Sequence, residues 1–291
     1  MSAQRTVLVT GALGQLGTDV RGVFAGRGWN VAGVDVQDID LATATDDDIA
    51  ALVARHAPRA VVHCAAYTNV DQAESEPARA LALNATAVRP VARAAAKVDA
   101  LLIQISTDYV FDGEKRTPYV ESDLPRPIQI YGTSKLAGEH IALAGAPRCA
   151  VVRSSGLYGA TPAIGKGGLN FVQTMVRLAQ ERGEVSVVDD EFVTPTYTVD
   201  LAVQLEKIAD AGATGVCHAT PQGACSWYDF AAAIFEVSGV RCQVRGTSRA
   251  SYKTIAKRPA YSVLENARLK EIGLDVMPDW RDALERYLRG A

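Results

Sequence analysis

Short apolar runs alternate with longer amphipathic stretches through the first half of the chain. The runs "TVLVT" (6–10), "NVAGVD" (30–35), "AVVHCAA" (60–66), "LLIQIS" (101–106) and "CAVVRS" (149–154) predict five strands. Strands that are apolar on both faces belong to a parallel sheet covered by helices on each side. The stretches between them have helical spacing: Gly14 to Arg27, 44–56, an Ala-rich helix from about Glu76 to Lys97, and the segment around Tyr131. Thr45 and three aspartates open the second of these, where a helix start favours a capping hydroxyl and negative charge. Crossovers joining such strands are right-handed. The predicted fold class is α/β, a Rossmann-type doubly wound parallel sheet.

After Gly156 the rhythm changes. A Gly-rich loop, "GATPAIGKGG", leads to an amphipathic helix over 170–183, then a short strand, a Pro-containing loop and another helix. "VCHAT" reads as a strand, and "WYDFAAAIFEVSG" and "DWRDALERYLRG" as helices. No polar linker separates the halves, so 156–291 is expected to form mainly a lobe resting on residues 1–155. The segment of about 184–220 is expected to return to the first unit.

Charge and composition narrow the classes of partner. With 33 acidic and 30 basic side chains in 291 residues, the formal charge of −3 gives no general attraction to nucleic acid or an anionic membrane. No run of ~18 apolar residues is present, and the N-terminus lacks the long apolar region of a signal peptide. The five cysteines, 64, 149, 217, 225 and 242, show no CxxC spacing. Reduced thiols in the cytoplasm are expected, with no metal site.

The first strand runs directly into "TGALGQLG", which places Gly11, Gly14 and Gly17 in a GxxGxxG pattern before a helix. Glycine permits a tight turn and close approach of the backbone to a pyrophosphate, and the helix N-terminus offers N–H groups to it. Residues 1–155 therefore read as a dinucleotide-binding domain, with Leu13, Gln15 and Leu16 of the same turn against the cofactor. Asp35, at the end of the second strand, can accept hydrogen bonds from ribose hydroxyls and would repel a 2′-phosphate. The cofactor is thus NADH or NADPH, with NADH slightly favoured. Asp40 and Leu41 are candidates to flank the adenine, or residues of a turn.

Tyr131 and Lys135 are four apart and share one helix face. A neighbouring ammonium is expected to lower the phenol's pKa, ordinarily about 10, and so suit it to protonate a nascent alkoxide. Ser106 and Thr107 lie at the carboxyl edge of the fourth strand, where open α/β sheets bind ligands. A hydroxyl there could polarise a carbonyl oxygen, or simply satisfy strand-end backbone groups.

"TGALGQLG", "CAAYTNVDQAE", "STDYVFDG", "YGTSKLAGE" and "VTPTYTVDLA" together resemble the extended short-chain dehydrogenase/reductases, and more closely the dTDP-4-dehydrorhamnose reductase family. "KRPAYSVLENARL" resembles that family's C-terminal "RP…S.L" segment, so the likeness spans nearly the whole chain. The resemblance implies hydride transfer from a reduced nicotinamide to C4 of a nucleotide-linked 4-keto-6-deoxysugar. It makes Tyr131 the proton donor, Lys135 its electrostatic partner and a ribose ligand, and Thr107 the group that polarises the carbonyl. Ser106, beside Thr107, is grouped with the cofactor. Asp108 and Tyr109 fall near sugar and nicotinamide, Ala65, Ala66 and Tyr67 along the cofactor, and Asn84 on the helix behind it. Asn170 and Arg258 are further candidates for the substrate; Arg258 with Arg249 and Lys253 forms a basic stretch that suits its diphosphate or simply lies on the surface. A homodimer is expected by analogy.

One departure stands out. The family often carries "RTSWVYG" after the fifth strand, with the Trp against the sugar; here "RSSGLYG" puts Gly156 in its place. The loop "ATPAIGKGGLNF" is expected to refill the space. His63 reads as a core histidine, Arg153 as either an ion pair or a ligand contact, and Asp189, Asp190 and Glu191 as a solvated acidic turn. Two rival functions stay open: a nucleotide-sugar epimerase or dehydratase, and a regulatory subunit that binds nucleotide without turnover.

Overall fold

The computed structural model describes residues 5–163, 167–251 and 253–290. Six strands form one sheet: β1 (Thr6–Thr10), β2 (Asn30–Val34), β3 (Ala60–His63), β4 (Leu101–Thr107), β5 (Cys149–Ser154) and β6 (Gly215–His218). Every neighbouring pair is parallel, in the order β2-β1-β3-β4-β5-β6. After β2 the chain passes back over β1 to reach β3. The strand order therefore reverses between β1 and β3 and opens a crevice beyond their carboxyl ends.

Successive side chains of a strand face opposite sides, and the core follows that rule. Val7, Val9, Ile103 and Val152 pack with Val20 and Phe24 of the helix Gln15–Gly26 and with Leu201 and Leu205 of the helix Thr198–Ala211. Leu8, Val61, Leu102 and Val151 face the other way, toward Ile49, Val53, Val88 and Ala142. The helix Asp46–His56 begins where Thr45 and the aspartates predict a start, with a capping box built from Thr45 and Asp48. Among the described residues no helix is long and apolar enough to cross a membrane.

A second apolar cluster gathers Tyr158, Phe230, Trp280 and the helices Phe171–Arg182, Trp227–Ser238 and Trp280–Arg289. Val185 and Val187 belong to this cluster, because Glu184–Val188 pairs with Gln243–Thr247 and not with the large sheet. The chain returns to the first unit later than 184, with the helix Thr198–Ala211 and β6.

The Ala-rich segment differs from a single helix. It comprises Pro77–Leu81, a π-helical turn Ala82–Thr86 and the helix Val88–Lys97. Apolar periodicity does not register one extra residue in a turn, whereas the backbone displaces Asn84 around the axis. The helix Ile130–Gly145 lies against that turn at backbone distance: a Cβ on Gly138 would sit 2.1 Å from the Asn84 carbonyl oxygen. A Cβ on Gly132 would sit 2.0 Å from the Tyr109 carbonyl oxygen. Two glycines thus allow one helix to touch both the π turn and the segment leaving β4.

Gly138→Ala forces this contact apart and is expected to cost about 1–3 kcal/mol of stability. Urea unfolding measures it, and an unchanged midpoint would contradict the close packing.

Candidate active site

A cleft of about 910 Å³ opens beyond the carboxyl ends of β1, β3, β4 and β5. At its β1 end, Gly11 has φ +65°, and a Cβ there would meet the Ala65 nitrogen at 2.7 Å. A Cβ on Gly17 would fall 2.1 Å from the Gly11 carbonyl oxygen. The helix Gln15–Gly26 starts at Gly14 with no side-chain cap and no acidic residue in its first turn. Its N–H groups and partial positive charge therefore suit an anion, and the side-chain-free turn suits the backbone approach of a pyrophosphate. These features fit a dinucleotide.

Leu13, Gly14, Gln15, Leu16, Asp35, Asp40 and Leu41 line the same end of the cleft, and Ala65, Ala66 and Tyr67 line the wall across from them. The Asp35 carboxylate accepts from the Leu13 and Val36 N–H groups, both at 2.8 Å, which fixes it at the rim. Asp40 accepts from the Ala42 N–H at 3.0 Å, so it also serves a turn. Asn84 is buried and works from behind the wall. Its side chain accepts from the Tyr67 N–H at 2.8 Å and donates to the Tyr67 carbonyl at 3.0 Å and to the Ser134 hydroxyl at 2.9 Å.

Tyr131, Lys135, Ser106, Thr107, Asp108 and Tyr109 converge where β4 ends. Lys135 is buried and donates to the Ile105 carbonyl at 2.7 Å; burial pulls its pKa down to about 8, opposed by Glu139 and Cys64. Tyr131 does not show the lowered pKa expected from its spacing to Lys135. Desolvation in the cleft pushes the phenol above its ordinary value, Asp108 adds to this, and the Thr107 hydroxyl opposes it. Loss of water thus sets the direction of the shift. The Tyr109 ring meets the Tyr131 ring edge-on, with centroids 6.1 Å apart.

Thr107 is already engaged. Its hydroxyl donates to Asp108 at 2.9 Å and accepts from the Tyr109 N–H at 3.2 Å. Asp108 receives two more hydroxyls, from Ser155 at 3.0 Å and from Ser262. Burial raises its pKa against these donors. Ser106 donates to Glu139, which also accepts a two-pronged ion pair from Arg153 at 2.9 and 2.7 Å. Arg153 is therefore an ion-pair residue. Ser106 lines the cleft while its hydroxyl is held from below.

The remaining candidates separate. Asn170 caps the helix Phe171–Arg182, accepting from the Gln173 N–H at 3.0 Å and donating to the Gly159 carbonyl at 2.8 Å. It is not among the residues that line the cleft. Arg258 pairs with Asp71 at 2.9 Å and, with Arg249, Lys253 and Lys257, lines a neighbouring polar pocket of about 820 Å³. Asp190 accepts from the Arg249 N–H at 2.8 Å, whereas Glu191 is buried and lines both cleft and pocket. His63 is buried, hydrogen-bonded to Thr10 at 2.7 Å, and pushed down to about 3 by desolvation, which keeps it neutral.

Ser155, Ser262 and Trp227 line the cleft without having been singled out in the sequence, and Glu191, read there as part of a solvated acidic turn, is buried against it. Ser262 could have been found, since it is the serine of the "RP…S.L" segment. Trp227 could not, because it lies 71 positions beyond Gly156 in the chain. Residues 164–166 of the loop expected to refill the space at Gly156 lie outside the described residues. Trp227 reaches that space together with Pro195 and Val193: its Cη2 would lie 3.4 Å from a Cβ on Gly156.

A glycine turn after β1, with a tyrosine and a lysine four apart on the helix beside the hydroxyl end of β4, defines an extended short-chain dehydrogenase/reductase. The family model described as the RmlD substrate binding domain matches residues 5–291. A dTDP-4-dehydrorhamnose reductase of Mycobacterium tuberculosis is 42% identical over 288 residues, covering 97% of this chain and 92% of that protein. The structure of a dTDP-4-dehydrorhamnose reductase from Clostridium acetobutylicum is 39% identical with a TM-score of 0.92, covering 98% of both chains. Another, from Bacillus anthracis and solved in complex with NADP, is 38% identical with a TM-score of 0.93, covering 99% of this chain and 100% of that one. The chain belongs to the dTDP-4-dehydrorhamnose reductase family, and with it to the NAD(P)H-dependent oxidoreductases.

Asp35→Ala removes the carboxylate at the rim of the glycine turn and is expected to narrow the gap between NADH and NADPH affinity. Fluorescence titration with each cofactor checks this; an unchanged ratio would exclude Asp35 from the ribose.

Proposed function

We propose that this chain reduces the 4-keto group of a nucleotide-linked 6-deoxysugar, in the manner of a dTDP-4-dehydrorhamnose reductase. The observation that carries the reading is the meeting of Tyr131, Lys135 and Thr107 in a cleft continuous with the glycine turn. A bound reduced nicotinamide supplies the hydride. Gly11, Gly14 and Gly17 would leave room for its pyrophosphate, Asp35 would hold a ribose, and Lys135 would serve the nicotinamide half.

The residues then divide the work on the sugar. Thr107 turns its hydroxyl from Asp108 to the carbonyl oxygen and stabilises the charge that develops there. Tyr131 delivers its phenolic proton to the same oxygen. Its raised pKa keeps that proton in place at neutral pH, and an alkoxide is a far stronger base than the tyrosinate left behind. Lys135, a cation below about pH 8, stabilises that tyrosinate. Arg249, Lys253, Lys257 and Arg258 supply positive charge for the diphosphate in the adjoining pocket, with Glu191 at the shared edge. The proposal includes a cytoplasmic homodimer, whose mass sedimentation velocity would read.

Tyr131→Phe keeps the ring and removes the proton. It is expected to lower kcat for NADH oxidation with a nucleotide-4-keto-sugar by about 10²-fold or more, with little change in NADH affinity. Undiminished turnover would refute the acid assignment, and a wild-type protein that consumes no NADH with any keto-sugar would refute the reading itself.

The pH profile follows from Lys135. Its folded pKa lies below the ordinary value, so its charge is complete at lower pH and disappears as pH rises through about 8. The phenol stays protonated over that range. Reduction is expected to hold level at neutral pH and decline through that window, as kcat measured against pH would show. A decline that begins only near the ordinary lysine pKa of about 10.4 would contradict it.

A further inference from the structure

The cleft has one aromatic wall that comes from the second lobe. Trp227 is the first residue of the helix Trp227–Ser238, and a capping box fixes that start. The Ser226 hydroxyl accepts from the Asp229 N–H at 3.0 Å, and the Asp229 carboxylate accepts from the Ser226 N–H at 3.1 Å. The Trp227 N–H donates to the Glu191 carbonyl at 3.3 Å. Phe171 and Phe230 back the indole, with centroids 4.6 and 6.3 Å away. Two capping bonds and two rings hold it in place, yet it stays partly exposed to the cleft.

Gly156 is the counterpart of this placement. It follows Ser154 and Ser155, and Ser154 pairs with Thr107 across β5 and β4. The position is therefore close to the reacting end of the cleft. Gly156 has φ +55°, where a side chain is strained. A Cβ there would meet Pro195, Trp227 and Val193 at 3.3, 3.4 and 3.5 Å. A Cβ at 156 would thus already be in contact with the indole. Thr107, Asp108, Tyr131, Ser155 and Ser262 bring polar groups to the reacting end. Val193 and Trp227 add apolar surface beside Gly156.

We propose that Trp227, reaching over side-chain-free Gly156, is the sugar-recognition wall of this enzyme, packing its indole on the apolar C5–C6 edge of the substrate hexose. This rests on the keto-sugar reading above. Hydroxyl donors hold the polar edge of the ring while the indole excludes water from the apolar edge, which fixes one orientation of C4 toward Tyr131. Trp227 acts as a binding and specificity residue, since it carries no proton for the reaction.

The test uses the full chain and the variants Trp227→Ala, Trp227→Leu and Trp227→Phe. Trp227→Ala is expected to raise KM for the nucleotide-4-keto-6-deoxysugar about tenfold or more, with Trp227→Leu and Trp227→Phe intermediate. NADH affinity should stay at the wild-type value, which also reports that each variant is folded. If the wild type turns over and every variant keeps its KM, the wall assignment falls while the reductase reading stands. Tryptophan fluorescence gives a second readout independent of turnover, since Trp29 and Trp280 are buried. Subtracting Trp227→Phe from wild type isolates the third indole. Its signal should change on titration with dTDP-rhamnose and not with dTDP alone. Equal responses to both, or no response to the sugar-bearing nucleotide, would overturn the proposal even if no turnover were found.

Discussion

A buried ammonium organises this molecule. Lys135 sits under the cleft, bonded to the Ile105 carbonyl, with Glu139 one turn further along the same helix. Burying a charge is costly unless it is paired and hydrogen-bonded. Glu139 faces the same demand, and Arg153 and Ser106 meet it. Lys135 through the Ile105 carbonyl, and Glu139 through Arg153 and Ser106, thus tie the helix Ile130–Gly145 to β4 and β5 by polar groups that have little water to turn to. Such networks tolerate few other arrangements, because a half-satisfied one is worse than an apolar core. The position of Tyr131 follows from that lock, reinforced by Gly132 and Gly138 at backbone distance from their neighbours.

A second knot lies on the substrate side. Asp108 collects hydroxyls from Thr107 beside it, from Ser155 after β5, and from Ser262 far along the chain. One carboxylate therefore registers the end of the large sheet against the C-terminal segment. Arg258 adds an ion pair to Asp71 across the same boundary, and the Arg258 side of that boundary opens into the basic pocket. The lobe is thus held so that a basic pocket, an aromatic wall and the reacting hydroxyls share one cleft. A nucleotide-linked sugar has the matching parts in sequence: a charged diphosphate, an amphipathic ring and a carbonyl.

The sheet was largely legible in the sequence because parallel strands buried on both faces must be continuously apolar. β1 and β5 have the bounds that their apolar runs predict, and the glycine turn is recognisable since few residues fit φ +65° or an approach of 2.1 Å. The site residues at strand ends were legible for the same reason: topology places them. Three features were not. The π turn at Asn84 leaves apolar spacing intact. The polar duties of Asn170 and Thr107 depend on the local turns that bring the Gly159 carbonyl to Asn170 and the Asp108 carboxylate to Thr107. The shift of the Tyr131 phenol reflects desolvation, which no residue spacing encodes; the i, i+4 rule places Tyr131 and Lys135 on one face but does not say how much water remains.

The central claim is net hydride delivery to a sugar carbon with proton donation from the cleft. Incubation of the purified protein with NADH deuterated at nicotinamide C4 and a nucleotide-4-keto-6-deoxysugar, followed by mass spectrometry and NMR of the product, tests it most directly. The account predicts one deuterium, bound at sugar C4, in a product two hydrogens heavier than the substrate apart from the label. A sugar recovered at the substrate's oxidation level, with no label from the nicotinamide, would contradict it.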